Sequence, residues 1–175
     1  MYILGSLCAL VGVFALFVTT RPAAFRITRS LTIDATPAAV FALINDFREW
    51  AAWSPWDQMD PSMTRTYEGP SAGKGAIYRW NGNNKVGQGS MTIQDTTSDS
   101  RVVVELRFVK PFAATNTATF TLEPSGSSTK VTWAMEGHNG FAQKAFGVFV
   151  NMDSLVGRDF EKGLAAMQSV LAKKV

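Results

Sequence analysis

Apolar and polar positions change rhythm several times along this chain, and each change marks a different kind of element. From residue 2 to 20, YILGSLCALVGVFALFVTT carries no charged side chain. At 1.5 Å per residue such a stretch reaches about 28 Å, close to the hydrocarbon thickness of a bilayer, so residues 1–20 read as one transmembrane helix. A cleaved signal peptide and a buried helix are the rival readings. No Lys or Arg precedes Arg21, which favours retention over cleavage. Arg21, Arg26 and Arg29 follow at once and favour a cytoplasmic domain on the C-terminal side. The expectation is a single-pass membrane protein, with a juxtamembrane linker over 21–25 and one domain over 26–175.

Alternation begins next. Ile27, Arg29, Leu31 and Ile33 face one way against polar neighbours, the pattern of a strand. The period then lengthens: Thr36 can cap a helix whose first residue is Pro37, and Val40, Phe41, Ile44 and Phe47 share one face. Trp50 and Trp53 continue that stripe. Pro55 disfavours helical geometry at Ser54, so the helix is expected to end there and leave Trp56 on a loop leading to Pro61.

Six strand-like stretches follow, over 63–68, 76–81, 86–94, 102–109, 114–123 and 130–136, separated by turn-forming segments such as NGNN, TTSDS and PSGSS. Short connections make an antiparallel meander the economical topology. Beyond residue 141 the helical period returns, with Phe149, Met152, Val156, Phe160, Leu164, Met167 and Leu171 in one apolar stripe. Gly157 and Gly163 would weaken or bend that helix where a close approach is needed, and a break is expected near 151–154.

Composition narrows the function classes. Hydrophobic residues make up 46% and charged residues 18%, which excludes a disordered chain. The net charge of +3 is scattered, with no run longer than Lys173-Lys174, so no nucleic-acid partner is expected. Cys8 is the sole cysteine and has no intrachain partner for a disulfide.

Catalytic chemistry is sparse. His138, in EGHNG, is the only histidine, and no set of His, Asp and Glu at metal-ligand spacing accompanies it. No metal, cofactor or catalytic residue is assigned. GPSAGKG at 69–75 is one residue short of a phosphate loop and is followed by a strand, so it reads as a turn; GQGSM lacks the third glycine of a dinucleotide fingerprint. Glu105 and Arg107 alternate with Val104, Leu106 and Phe108, which puts them on the wet face as a cross-strand ion pair. Asp34, Asp57 and Asp60 fall at loop or cap positions.

A first strand, short helices, a six-strand meander and a long amphipathic helix describe a helix-grip arrangement. The segments DFREWAAWSPW, GPSAGKGAIYRWNGNNKVGQGSM, KPFAATNTATFTLEPSGSSTKVTW and GRDFEKGLAAMQ, in that order, resemble the START-like, or SRPBCC, superfamily, in its polyketide cyclase/dehydrase and lipid-transport group. That resemblance implies an α+β fold in which a curved antiparallel sheet wraps a long C-terminal helix and leaves a cavity between them.

Alternation then suggests what lines the cavity. Thr115, Thr117, Thr119 and Thr121 look outward, which turns Asn116, Ala118, Phe120 and Leu122 inward. The same reasoning turns inward Tyr67, Tyr78 and Trp80, then Met91, Ile93, Leu106 and Phe108, then Trp133 and Met135. Trp50, Trp53 and Trp56 would pack the start of a loop over the cavity mouth. From these, the candidate ligand contacts are Trp53, Trp56, Tyr67, Tyr78, Trp80 and Met91, together with Phe108, Asn116, Phe120, Trp133 and Met135. For each, a filled core is the alternative.

The function this favours is a membrane-tethered, noncatalytic domain that shields a hydrophobic or amphiphilic small molecule, a lipid among the candidates. The alternatives are an enzyme of the cyclase/dehydratase type and an interaction module with a closed core.

Overall fold

In the computed structural model, which describes residues 2–173 and, within the first helix, the side chains of 6 and 9–20, the alternating stretches become seven strands. They are β1 (Ala24–Ile33), β2 (Thr64–Glu68), β3 (Ile77–Asn81), β4 (Gln88–Thr97), β5 (Arg101–Lys110), β6 (Ala114–Ser125) and β7 (Ser128–His138). One antiparallel sheet results, in the order β1-β7-β6-β5-β4-β3-β2. Hairpins link β2 through β7, whereas the connection from β1 to β2 must travel from one sheet edge to the other. That crossing carries α2 (Pro37–Asn45), a 3-10 turn (Glu49–Ala52) and α3 (Pro55–Met59). After β7 come α4 (Phe141–Phe146) and the long α5 (Met152–Ala172), and the sequence opens with α1 (Tyr2–Thr20). The helix-grip α+β architecture is the one the sequence pattern implied.

Period-two alternation sets the inner face. Along β6, Asn116, Ala118, Phe120 and Leu122 are buried while the threonines between them are not. The register places Phe120 opposite Trp133 and Ala118 opposite Met135, so the apolar faces of β6 and β7 coincide.

The crossing segment departs from the sequence expectation in an informative way. Thr36 caps α2, its hydroxyl oxygen accepting the Ala39 N–H at 3.3 Å, with Pro37 in the first turn. The helix stops at Asn45 rather than at Ser54, because Asp46 Oδ1 accepts the Arg48 N–H at 2.8 Å and turns the chain. Trp50 and Trp53 then fold back beneath the end of α2. Their indole N–H groups donate to the carbonyls of Ile44 at 2.9 Å and Leu43 at 3.1 Å, which lie in the last turn and lack helical partners. Pro55 starts α3 instead of ending a helix, since a first-turn position has no use for the missing N–H. Trp56 is therefore helical, not on a loop.

At the far end Asn151 caps α5, accepting the Ser154 N–H at 3.0 Å. Phe160, Leu164, Met167 and Leu171 are buried against the sheet. The first members of the apolar stripe are not: Phe149 lies before the helix and is 78% exposed. Both glycines of α5 answer to specific neighbours. A Cβ at Gly157 would collide with the guanidinium of Arg29, which crosses the helix there to reach Asp153 and Glu161 at 3.0 and 2.8 Å. A Cβ at Gly163 would lie 2.9 Å from the Trp133 ring, so this glycine lets α5 settle on β7.

The expectation of a transmembrane helix over 1–20, and with it a single-pass membrane localisation and membrane tethering, is corrected. Among the described residues no helix is long and apolar enough to cross a membrane. A span needs about 20 continuous apolar residues, and α1 has 19. The side chains of 1–5, 7 and 8 lie outside the described residues. The C-terminal part of α1 engages the rest of the chain: Val18 is buried, Phe14 stacks on Phe149 at 5.9 Å, and Lys144 Nζ donates to the Thr19 carbonyl at 3.3 Å.

Candidate functional site

Between the inner face of β3–β7 and the helices α3 and α5 lies a cavity of about 150 Å³. The sheet contributes Tyr78 and Trp80 from β3, Met91 from β4 and Leu106 and Phe108 from β5; Ala118 of β6 and Trp133 and Met135 of β7 complete that wall. The helices contribute Trp56 and Asp57 from α3, and Val156 and Phe160 from α5. Trp50, Ser54, Met63 and Val86 close the remaining gaps.

Trp133 is the hub of this wall. Its ring stacks on Phe160 with centroids 4.1 Å apart and planes 5° apart, and it meets Trp53 and Trp56 edge-on at 5.6 and 5.8 Å. Trp80 is held by its indole N–H, which donates to the Val86 carbonyl at 3.0 Å. A side chain at Gly89 would strike the Trp80 ring, so this strand glycine is what allows the indole to cross β4.

Residues 24–172 match the family described as polyketide cyclase / dehydrase and lipid transport. The chain belongs to this family. Solved structures share the fold: protein CV1439 from Chromobacterium violaceum aligns with a TM-score of 0.59 at 14% identity, over 86% of this chain and 97% of that one. Mll3558 from Rhizobium loti aligns at 0.57 and 20% identity, over 83% and 99%. A protein from Arthrobacter aurescens aligns at 0.57 and 18% identity, over 85% and 87%. At such identities the likeness is one of fold. No curated protein matches the sequence.

In this polyketide cyclase/dehydrase-family chain the cavity has one polar corner. Asp57, 8% exposed, accepts from Arg65 Nε at 2.7 Å, and Arg65 Nη1 also donates to the carbonyls of Pro61 and Met63 at 3.2 and 3.0 Å. The hydrogen bond to Asp57 raises the already high pKa of Arg65. Beside them Tyr78, 4% exposed, has a hydroxyl with no hydrogen-bond partner. Arg65 comes near enough to favour the phenolate slightly without completing a hydrogen bond. Burial dominates, reinforced by the Asp57 charge, and pushes the Tyr78 pKa well above the usual phenol range. Trp133 Nε1 is likewise buried without a partner. Among the described residues, no group of three or more His, Cys, Asp or Glu side chains is placed to hold a metal ion.

Of the residues singled out from the sequence, Trp56, Tyr78, Trp80, Met91, Phe108, Trp133 and Met135 meet at the cavity. Trp53 and Phe120 stand one layer behind, packed on Trp133 at 5.6 and 4.8 Å. Tyr67 lies beyond Tyr78, ring to ring at 5.4 Å, beneath the Arg48 guanidinium at 5.1 Å. Asn116 is buried but rests against Gly137, outside the lining. Glu105 and Arg107 pair along one strand at 3.5 Å rather than across two. Asp57 reads from the sequence as a loop or cap residue, whereas in the fold it lies in the first turn of α3 and is buried beside Arg65 of β2. Phe160 and Val156 were already legible in the C-terminal stripe.

The raised Tyr78 pKa has a signed consequence. Above the unfolded-state value of about 10, the native state retains a proton that the unfolded chain has lost, so stability falls as pH rises and is unaffected below that range. Urea unfolding measured from neutral to alkaline pH is expected to show this decline, shallower in Tyr78→Phe. An unchanged slope in that variant would mean that Tyr78 ionises freely.

Proposed function

We propose that this domain binds a hydrophobic small molecule, shielded between the sheet and α5. The observation that supports it is the cavity itself. Interiors normally pack to the density of organic crystals, and unfilled volume costs about 24 cal/mol per Å³. Side chains that leave about 150 Å³ of this interior unfilled forgo up to about 3–4 kcal/mol of packing. Against a total stability of about 5–15 kcal/mol, that is a large loss to retain without use. An apolar cavity of roughly this size accepts one benzene molecule, so the ligand is of single-ring size or enters as one short apolar segment.

Benzene is accordingly the simplest probe. Titrated into isotope-labelled full-length protein, it is expected to shift the amide and indole signals of Trp80, Leu106, Phe108 and Trp133 and to leave those of the outer half of β1 unmoved. Saturating benzene with no shift at these positions would contradict the reading.

A further inference from the structure

Exposed large hydrophobic side chains are not scattered over this molecule. Among the described residues, all of them belong to α1, to the tip of the β5–β6 hairpin or to the segment 141–155. The fold gathers these three pieces at one end. Gln143 Nε2 of α4 donates to the Ala113 carbonyl in the hairpin turn at 3.4 Å, Lys144 Nζ donates to the Thr19 carbonyl of α1 at 3.3 Å, and Phe149 stacks on Phe14 at 5.9 Å. Phe17, Phe112, Phe141, Phe146 and Phe149 are 46–78% exposed. At about 150–250 Å² per aromatic side chain, they alone present roughly 400–700 Å² to solvent. Leu16, Met152 and Leu155 extend that area. The largest apolar patch of a typical monomer is about 300–600 Å², and larger ones mark contact with another surface.

Charge decides which surface. From residue 106 to 122, and again from 137 to 152, the chain carries no carboxylate, and α1 has no charged side chain at all. Asp153, the acid that follows, is already held by Arg29 at 3.0 Å. Cations, by contrast, border the aromatic area. The Arg21 guanidinium lies over the Phe17 ring at 5.7 Å, Lys110 precedes Phe112 by two residues, and Lys144 sits in α4 between Phe141 and Phe146. Among the described residues, none of the three makes an ion pair. Joining two copies by this face would crowd cation against cation with no free acid to offset them. An anionic lipid surface supplies the missing charge and accepts apolar side chains to a depth of about 5–10 Å. Such contact needs no helix that crosses the lipid.

We infer that this end of the molecule docks reversibly on an anionic lipid surface. Phe112, Phe141, Phe146 and Phe149 enter the boundary between headgroups and acyl chains, and Arg21, Lys110 and Lys144 face lipid phosphates. No segment passes through.

Flotation of the full chain with vesicles of phosphatidylcholine alone, and of an equal mixture with phosphatidylglycerol, tests this. The parent is expected to bind the mixed vesicles more tightly, with affinity falling as salt rises. Phe141→Ser/Phe146→Ser/Phe149→Ser should weaken binding at least about tenfold, from the apolar area lost. Arg21→Gln/Lys110→Gln should weaken binding to mixed vesicles by about 10- to 30-fold and alter binding to phosphatidylcholine by less than about twofold. The substituted side chains are exposed, so urea midpoints should stay close to that of the parent. Flotation indifferent to the phenylalanine substitutions, or equal on both vesicle types, would overturn the inference. So would a parent that ignores vesicles, including one that sediments as a dimer through this face.

Discussion

Replacing Trp133 with alanine is expected to remove about 3–5 kcal/mol of stability, the range for deleting a large buried aromatic and a large part of what a domain of this size possesses. The reasoning is geometric. Trp133 is 3% exposed and touches the rings of Trp53, Trp56, Phe120 and Phe160, which come from the crossing segment, the sheet and α5. Those rings are held from several directions and cannot collapse into the space together. The new hole would also merge with the existing cavity, so the cavity contribution adds to the lost transfer energy. Urea unfolding should report a lower midpoint with an unchanged slope. A loss below about 1 kcal/mol would mean that the aromatic layer repacks and that Trp133 is not its hub. Loss of ligand binding in Trp133→Ala would therefore say little about contact, because the fold itself is compromised.

Ala118→Leu separates site from scaffold. Ala118 lies on the inner face of β6 opposite Met135, is buried, and borders the void. Three added carbons would extend into empty volume instead of into packed neighbours, so the usual overpacking cost of about 1–3 kcal/mol is largely offset by recovered packing. Stability is expected to stay within about 1 kcal/mol of the parent, while benzene affinity falls by more than about tenfold. Unaltered binding with unaltered stability would place the ligand somewhere other than this cavity.

How far these features were legible in the chain follows from what each depends on. Period-two alternation fixes which face of a strand points inward, and Asn116, Ala118, Phe120 and Leu122 are buried as their positions require. Depth is another matter. Asn116 and Trp133 both face inward, yet only Trp133 borders the cavity, because α5 covers the middle of β7 while Asn116 abuts Gly137. The tryptophan cluster was visible as an apolar stripe, but its indole bonds to the Leu43 and Ile44 carbonyls depend on where α2 stops. That stop is set by one short bond from Arg48 N–H to Asp46, a local competitor that a periodicity cannot reveal.

The polar corner was hidden for a related reason. Asp57 and Arg65 lie on either side of a turn, and their pairing exists only after β2 takes its place at the sheet edge. At the N-terminus the opposite error occurred: apolar composition suggested a membrane span, whereas the described side chains form no such helix and Phe14 and Val18 pack within the chain. Hydrophobicity states that a segment leaves water, without stating what it enters.

The claim that this cavity exists to hold a small molecule is tested most directly by native mass spectrometry of the full chain, purified from its source cells, alongside Ala118→Leu prepared in the same way. A stoichiometric adduct on the parent, lost from the variant and released on denaturation as an apolar compound of single-ring size, is the outcome the cavity requires. Bare polypeptide mass for both proteins, persisting after incubation with an extract of the same cells, would contradict it.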